Sequence, residues 1–362
     1  MKKSICFVAQ FPPPIHGLSK AVDTLYNSDL KEEYNLKAIN ITDNKKFLLT
    51  AIKLIKDKSN LYYFTISQSK SGNIRDLILL KIMNMKKKKV VLHLHGGYYR
   101  NMLDQCSSIQ KNLNLKLLSK TSASIALGNS LRYIFEGIID DKNIYVVPNC
   151  IDDEFYISDR EFEEKISRIR RKEILQILYL SNFIEEKGYK ELLEVAKILN
   201  DSNMCKYKFV FAGKFFNSED EKYFNEFIKY NKLEEIVEYK GIVKGNEKKN
   251  LLKESDVFFL LTRYKNEGQP ISIIEGMGNG LCIVTTNHAG IPDLVNDKEN
   301  GFIVSYDDYD SMIYNIKTLQ ENKKILIDIA YKNRAKVERN FKEKHYINNM
   351  KNVFSEVIHN ES

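Results

Sequence analysis

Two glutamates stand eight positions apart in NEGQPISIIEGMGNG, residues 266–280, with one proline between them and glycines at 268, 276, 278 and 280. A carboxylate can accept two vicinal hydroxyls together, and charge-assisted hydrogen bonds of that kind are about twice as strong as neutral ones. Glycine in a helix interior costs roughly 1 kcal/mol relative to alanine, so Gly276, Gly278 and Gly280 call for an offset from packing or from close approach to a ligand. The run DVFFLLT reads as a strand ending at Thr262, and Pro270 stands where a helix can begin. Ile271 and Ser272 then fall in the first turn, where amide N–H groups lack intrahelical partners and the helix dipole is positive, an arrangement suited to phosphate. Glu267 lies in the loop before this helix and Glu275 just over one turn into it, so both can flank the anion. The competing account has Glu275 capping or salt-bridging its own helix and the glycines merely allowing tight packing on the sheet.

Lys187, in IEEKGYK, follows a strand and precedes a helix, a crevice position where its charge can meet an anion; it could instead pair with Glu185, Glu186 or Glu191. His93 and His95 alternate along HLHGG and so point to one face of a strand. His93 reads as a buried core histidine. His16, in PPPIHGLSK, and Tyr98 and Arg100, after the glycines of HLHGG, stand in loops, where a lone histidine is more often simply exposed. A divalent cation is commonly held on an Asp-x-Asp after a strand. Asp140 and Asp141 read as a turn, and Asp307 and Asp308 as a helix start, so no metal and no cofactor is expected.

The elements that must position these residues repeat in a regular order. Apolar runs such as SICFVAQ, NLYYFTIS, KVVLHLH, ASIALG and NIYVVPN alternate with helix-length stretches, which predicts a parallel sheet covered by helices. Between Ile151 and Lys172 the chain turns charged, and the rhythm restarts with ILQILYLSN, YKFVFAGK, IVEYKGIV, DVFFLLT, LCIVTT and GFIVS. At 362 residues this predicts an α/β protein of two doubly wound, Rossmann-like domains, 1–172 and 173–345. Ligands of such sheets bind beyond the carboxyl ends of the strands, here at Phe11 to Gly17, His95 to Gly97, Ser181 to Lys187, Gly213 to Lys214, Gly241, and Thr262 to Ser272.

Hydrophobic content of 43% and charged content of 29% suit a soluble globular chain. Five scattered cysteines (Cys6, Cys106, Cys150, Cys205, Cys282) show no metal-ligand spacing, and their odd number argues for a reducing compartment. MKKSICFVAQFPPP has too short an apolar run for a signal peptide, and no run reaches the ~18 residues of a membrane span. The protein is therefore expected in the cytoplasm, with any membrane contact peripheral, on the inner face of the cell membrane. Residues 1–172 carry 29 Lys+Arg against 18 Asp+Glu, a net of +11, while the remainder carries 27 against 30, a net of −3. The first half is thus expected to meet something anionic: nucleic acid, or a membrane surface, to which the run KKKK at 86–89 would contribute, unless the lysines are simply solvated. No zinc spacing, RNA-recognition signature or arginine-rich helix favours nucleic acid.

NEGQPISIIEGMGNG resembles the Glu-x7-Glu segment of the retaining nucleotide-sugar glycosyltransferases of family 4, which have the GT-B fold of two domains facing a central cleft. FPPPIHGLSKAV, HLHGGYY, YVVPNCID, LSNFIEEKGYKELLE, FAGK and TTNHAGIPDLV with NGFIV resemble that family's further segments in order, and HLHGG with LSNFIEEKG looks like transferases of bacterial capsule, exopolysaccharide or O-antigen synthesis. The resemblance implies that Glu267 meets the donor sugar hydroxyls, Glu275 the ribose, Ile271 and Ser272 the diphosphate through their amides, and Lys187 the leaving phosphate. Gly17 would approach the diphosphate, His95 the donor sugar, and His16, Tyr98 and Arg100 are candidate neighbours of the acceptor, while a last helix, 346–362, would cross back to the first domain. Asn182, Gly213, Lys214, Gly268 and Pro270 complete the donor side, with the base near Gly241, Ile242 and Val243. The family's arginine at Ser181 or Asn182 is absent here, which leaves Lys187 alone, Lys214 or Arg263 to replace it.

The implied reaction moves a sugar from a nucleoside diphosphate sugar, UDP-sugar first among them, to a saccharide or lipid-linked saccharide. Retention by double displacement needs a second carboxylate at ~5 Å, which the motifs do not supply, so a front-face substitution assisted by the leaving phosphate is expected, with domain closure assembling the site. A sugar-nucleotide epimerase on the same fold is the alternative. A nucleic-acid binder would explain the charge but not the carboxylates.

Overall fold

The computed structural model describes residues 2–14, 16–201 and 206–359, so that Cys205 lies outside the described residues. The chain divides into two compact units: residues 1–150, 265–269 and 343–362 form the first, and residues 151–264 and 270–342 the second. Each is built on one parallel sheet of six strands.

In the first unit the strands are β1 (Ser4–Ala9), β2 (Asn35–Asn40), β3 (Leu61–Thr65), β4 (Lys89–His93), β5 (Ala123–Ala126) and β6 (Ile144–Val146), in the order β2-β1-β3-β4-β5-β6. Strand β3 is buried at every position, as a strand covered on both faces must be. Strand β2, at the edge, buries only Ile39, and that is why NLKAIN carries no apolar run and has no place among the expected strands. In the second unit the strands are β7 (Leu175–Leu180), β8 (Tyr207–Ala212), β9 (Val237–Tyr239), β10 (Val257–Leu260), β11 (Cys282–Thr285) and β12 (Gly301–Ile303), in the order β12-β11-β10-β7-β8-β9.

The direction of winding reverses between β1 and β3 in the first sheet and between β7 and β10 in the second. At such a reversal the connections leave on opposite faces and open a crevice at the carboxyl ends of the strands.

The segment 151–172, expected to close the first domain, packs with the second unit. Its helix Asp159–Arg171 buries Phe162, Ile166 and Ile169 in that unit's core, and Lys165 sends its amine onto the carbonyls of Leu252 at 3.2 Å and Asn279 at 2.7 Å. The charge that marked this stretch as the domain boundary belongs to the outer side of an amphipathic helix. The last helix, Glu343–His359, is part of the first unit, where Tyr346, Met350, Val353, Phe354 and Val357 join the core over β1, β3 and β4.

Candidate functional site

In the second unit the loops after β7 and β10 meet at the winding reversal. After β7, a short turn Glu185–Lys187 leads into Gly188, whose left-handed backbone (φ 83°) and lack of a side chain let it close on Leu261; a Cβ there would stand 2.8 Å from the Leu261 carbonyl oxygen. The Arg263 amide donates to the Glu186 carbonyl at 2.7 Å, and Lys187 Nζ lies 5.3 Å from the centre of the Tyr264 ring. Lys187 thus sits where the loops after β7 and β10 meet. Arg263, one candidate for the family's missing arginine, directs its guanidinium elsewhere: Nη1 is 2.8 Å from Glu191, and the group lies 4.5 Å from the Tyr306 ring.

The helix Ile271–Gly278 follows β10 after the loop 261–270, with no side chain capping it and no acid in its first turn, while Ile271 and Ser272 are half-buried. Glu275 is 4% exposed and its Oε1 lies 2.6 Å from Lys248 Nζ, on the helix Gly245–Glu254. Lys248 also sits 4.1 Å from the Phe155 ring centre. Sequence reasoning missed this lysine; the signal was its place three and four residues before Leu251 and Leu252, which are buried, on one helix face.

Gly213 is pressed on the end of β7: a Cβ would fall 1.9 Å from the Ser181 carbonyl oxygen. Its amide donates to the Gly241 carbonyl at 2.8 Å, so the turns after β8 and β9 and the Ser181–Asn182 turn form one group. Lys214 and Ile242 are exposed there, Asn182 is exposed beside them, and Val243 is buried. The glycines of the opening motif have a different role from the ligand approach considered for them. A Cβ at Gly276 would meet the Phe258 ring at 3.1 Å, one at Gly278 would meet Ile151 at 2.8 Å, and one at Gly280 would meet Phe162 at 2.5 Å. All three serve packing. A depression of about 470 Å³ nearby is walled by Glu185, Glu186, Glu219 and Asp220, a charge that repels a diphosphate.

In the first unit, β4 ends in His93, and His93 and His95 stack at 3.9 Å between ring centres. The Tyr63 hydroxyl lies 2.9 Å from His93 Nδ1 and 3.5 Å from His95 Nε2, while His95 Nδ1 is buried with no hydrogen-bond partner among the described residues. Glu267 and Gly268 lie on this same loop: the Gly97 amide donates to the Glu267 carbonyl at 2.7 Å, and a Cβ at Gly268 would come 2.8 Å from the His95 carbonyl oxygen. The Gln269 side chain accepts from the Asn149 amide at 2.8 Å, a further anchor that sequence reasoning missed. Tyr98 donates its amide to Gln68, and Arg100 spends its guanidinium on the carbonyls of Ile134 and Glu136. His16 is the N-cap of the helix Gly17–Tyr26, its Nδ1 accepting from the Ser19 amide, so Gly17 opens that helix.

At the winding reversal between β1 and β3 lies a cavity of about 160 Å³, lined among others by Gln10, Thr65, Ser67, Arg75 and His95. Thr65 is buried and its hydroxyl has no hydrogen-bond partner among the described residues. Beneath, Asp76 accepts from the Ser67 amide and from Arg75, yet burial outweighs both and pushes its carboxyl up to about 6. Enclosure pulls the His95 imidazole down to about 3, with the charge of His16 adding to the effect, and lowers His93 well below its ordinary value of 6.5.

These shifts set a pH dependence. Unfolded, both histidines take up protons near 6.5, whereas the folded protein resists until about 3 at His95, so the folded state binds fewer protons in that window. Their contribution to stability is lost as pH falls from about 6.5 towards 3. Asp76, raised from 3.8 to about 6, acts in the opposite sense between those values. The urea midpoint is expected to be lower at about pH 5 than at about pH 7, and His95→Asn should shrink that difference. A difference unchanged in His95→Asn would remove the enclosed imidazole from the account.

Among the described residues no group of His, Cys, Asp and Glu could hold a metal ion, and no helix is long and apolar enough to cross a membrane.

The glycosyl transferases group 1 family matches residues 159–343, the stretch holding Lys187 and the helix at Ile271. The chain belongs to that family. It is similar to the amylovoran biosynthesis glycosyltransferase AmsK of Erwinia amylovora, 28% identical over 47% of this chain and 42% of AmsK, so the match spans less than half of that relative's length. It is also similar to the UDP-Gal:alpha-D-GlcNAc-diphosphoundecaprenol alpha-1,3-galactosyltransferase of Escherichia coli, 25% identical over 89% of this chain and 82% of that one. Among solved structures, HepE of Anabaena in complex with UDP superposes with a TM-score of 0.76 at 15% identity, covering 97% of this chain and 99% of that one. Both sheets thus fit the GT-B architecture.

Proposed function

We propose that the protein is a retaining glycosyltransferase that moves a sugar from a nucleoside diphosphate sugar, a UDP-sugar first among candidates, to a lipid-linked saccharide in bacterial surface polysaccharide synthesis. The observation that carries this reading is an uncapped helix N-terminus at Ile271, in the segment after β10, together with Lys187 in the turn after β7, the two segments being joined by the Arg263 amide on Glu186. Amides and a cation pointing at one crevice favour a diphosphate and stabilise it further as it departs.

Glu275 takes the ribose hydroxyls, and the Gly213–Gly241 turns border the base. Glu267 and His95 are assigned to hydroxyls of the transferred sugar; a neutral, enclosed imidazole donates or accepts a hydrogen bond there without carrying charge. The cavity beside His95 receives a sugar ring of the acceptor, with Thr65 and Gln10 offering polar groups. At ~10–15 Å³ per water, its volume suits a ring of about a dozen heavy atoms and not a nucleotide. The departing phosphate takes the acceptor proton, on the face it leaves. The relative that acts on a diphosphoundecaprenol-linked sugar and the neighbour solved with UDP support the choice of acceptor and donor.

Thermal unfolding with UDP, GDP, ADP and CMP in turn, with a chelator present, tests the donor side. A ligand at 100 times its Kd adds about 2.7 kcal/mol, a shift of a few degrees. UDP alone is expected to produce it; no shift with any of the four would remove the anion site. Acceptor-dependent release of UDP then separates transfer from epimerisation. Glu267→Ala is expected to lower turnover roughly 10²-fold with UDP affinity little changed, and an equal loss of affinity would move Glu267 to the nucleotide.

A further inference from the structure

Right-handed crossovers carry the chain from β2 to β5, which sets the helices Phe47–Lys56, Lys70–Met85 and Ser108–Leu118 on one side of the first sheet, with Lys70–Met85 packed against both others. A helix in that position normally turns one apolar stripe inward and a polar face outward. The helix Phe47–Lys56 has two apolar stripes. Ala51 and Leu54 are buried, while Leu48, Ile52 and Ile55, at i, i+4 and i+7, are exposed by 71%, 40% and 59%. Ile74 and Ile78 on the second helix and Ile109 on the third are exposed as well, Ile109 by 82%. Single exposed apolar residues are ordinary, but a group spread over three packed helices implies something that covers it.

The charge of the same helices says what. They carry seven Lys or Arg and one acid, Asp76, which is buried against Arg75. Lys86 donates to the Ile55 carbonyl at 2.7 Å, so the lysine run 86–89 adjoins the exposed stripe. Apolar side chains ringed by lysines, with no exposed acid on the helices, match the boundary between acyl chains and anionic headgroups. A second copy of this face would bring lysines against lysines.

We propose that this three-helix face docks the protein on an anionic lipid bilayer. It depends on the transferase reading for its purpose, since it would bring the first unit to a lipid-linked acceptor, but not for its test, which needs neither donor nor acceptor. The full chain is sedimented with phosphatidylcholine vesicles and with vesicles that also contain phosphatidylglycerol. Binding is expected only with phosphatidylglycerol, weakened by salt. Leu48→Gln with Ile55→Gln should lower the partition coefficient by about tenfold or more, and Lys53→Gln with Lys56→Gln should weaken the preference for anionic lipid. All these positions are exposed, so melting temperature and the UDP-induced shift should stay as in wild type. Absence of binding, or wild-type binding by both double variants, would overturn the proposal. So would a concentration-dependent dimer dissolved by Leu48→Gln with Ile55→Gln, which would give the face to a second copy. If vesicles bind while no nucleotide shifts the melting temperature, the docking face stands and the transferase reading falls.

Discussion

Replacing Lys187 with alanine is expected to lower kcat on the order of 10²–10³-fold, the usual loss when one preorganised group is removed from where charge develops. The turn that carries Lys187 is fixed by Gly188 against Leu261 and by the Arg263 amide on Glu186, so little reorganisation remains for the moment of reaction. Lys187 is half-buried in a surface turn, and its loss should leave the melting temperature nearly unchanged. Lys187→Arg should recover part of the rate through its charge, though a planar fork cannot occupy the place of a compact ammonium. Lys190→Ala serves as a control, because Lys190 is committed to Glu185. Release of UDP at saturating donor is the measurement. A rate within threefold of wild type, on the scale of those losses, would take the phosphate from Lys187 and point to Lys214, since Arg263 is already held by Glu191.

Glu275→Ala is expected to act twice, on nucleotide affinity and on the fold. The carboxylate and Lys248 form an ion pair whose side chains are 5% and 19% exposed, and removing one partner strands the other charge at a cost of about 3 kcal/mol. Lys248→Met should destabilise for the same reason. The double variant Glu275→Leu with Lys248→Met should regain most of the stability, because two matched apolar residues often replace a buried pair without loss. It should not regain UDP binding. Urea unfolding and calorimetric titration with UDP separate the two effects, and wild-type UDP affinity in the double variant would sink the ribose assignment while leaving the pair as a structural one.

Central strands were legible because burial on both faces forces continuous apolar runs, and their alternation with helix-length segments implied two parallel sheets. The edge strand Asn35–Asn40 and the helix Phe47–Lys56 were not, since one is mostly exposed and the other is apolar on two sides. SLRYIFEGI reads as a helix by its period, yet Asn129–Ile134 winds as a 3-10 helix, which still buries Leu131 and Ile134. At the site, residues that take their place from the ends of strands were legible: Lys187, His95, and the helix start at Pro270. Residues that act through a partner far along the chain were not. Lys248 meets Glu275 across 27 positions, and Thr65 reaches the cavity beside His95 from another strand, so no local spacing records either one.

Synthesis runs from the N-terminus, but the first unit cannot close in that order. Its core waits for Tyr346, Met350, Val353, Phe354 and Val357, and its His95 loop waits for Glu267 and Gly268. While the ribosome makes the second unit, β1, β3 and β4 must stand with an apolar face uncovered for nearly two hundred residues of elongation, from 150 to 343. The unit made first is therefore completed last. Residues 1–150 expressed alone should aggregate and should regain solubility when 343–362 are tethered to them, whereas the second unit has its whole core in one nearly continuous stretch and can fold as it emerges.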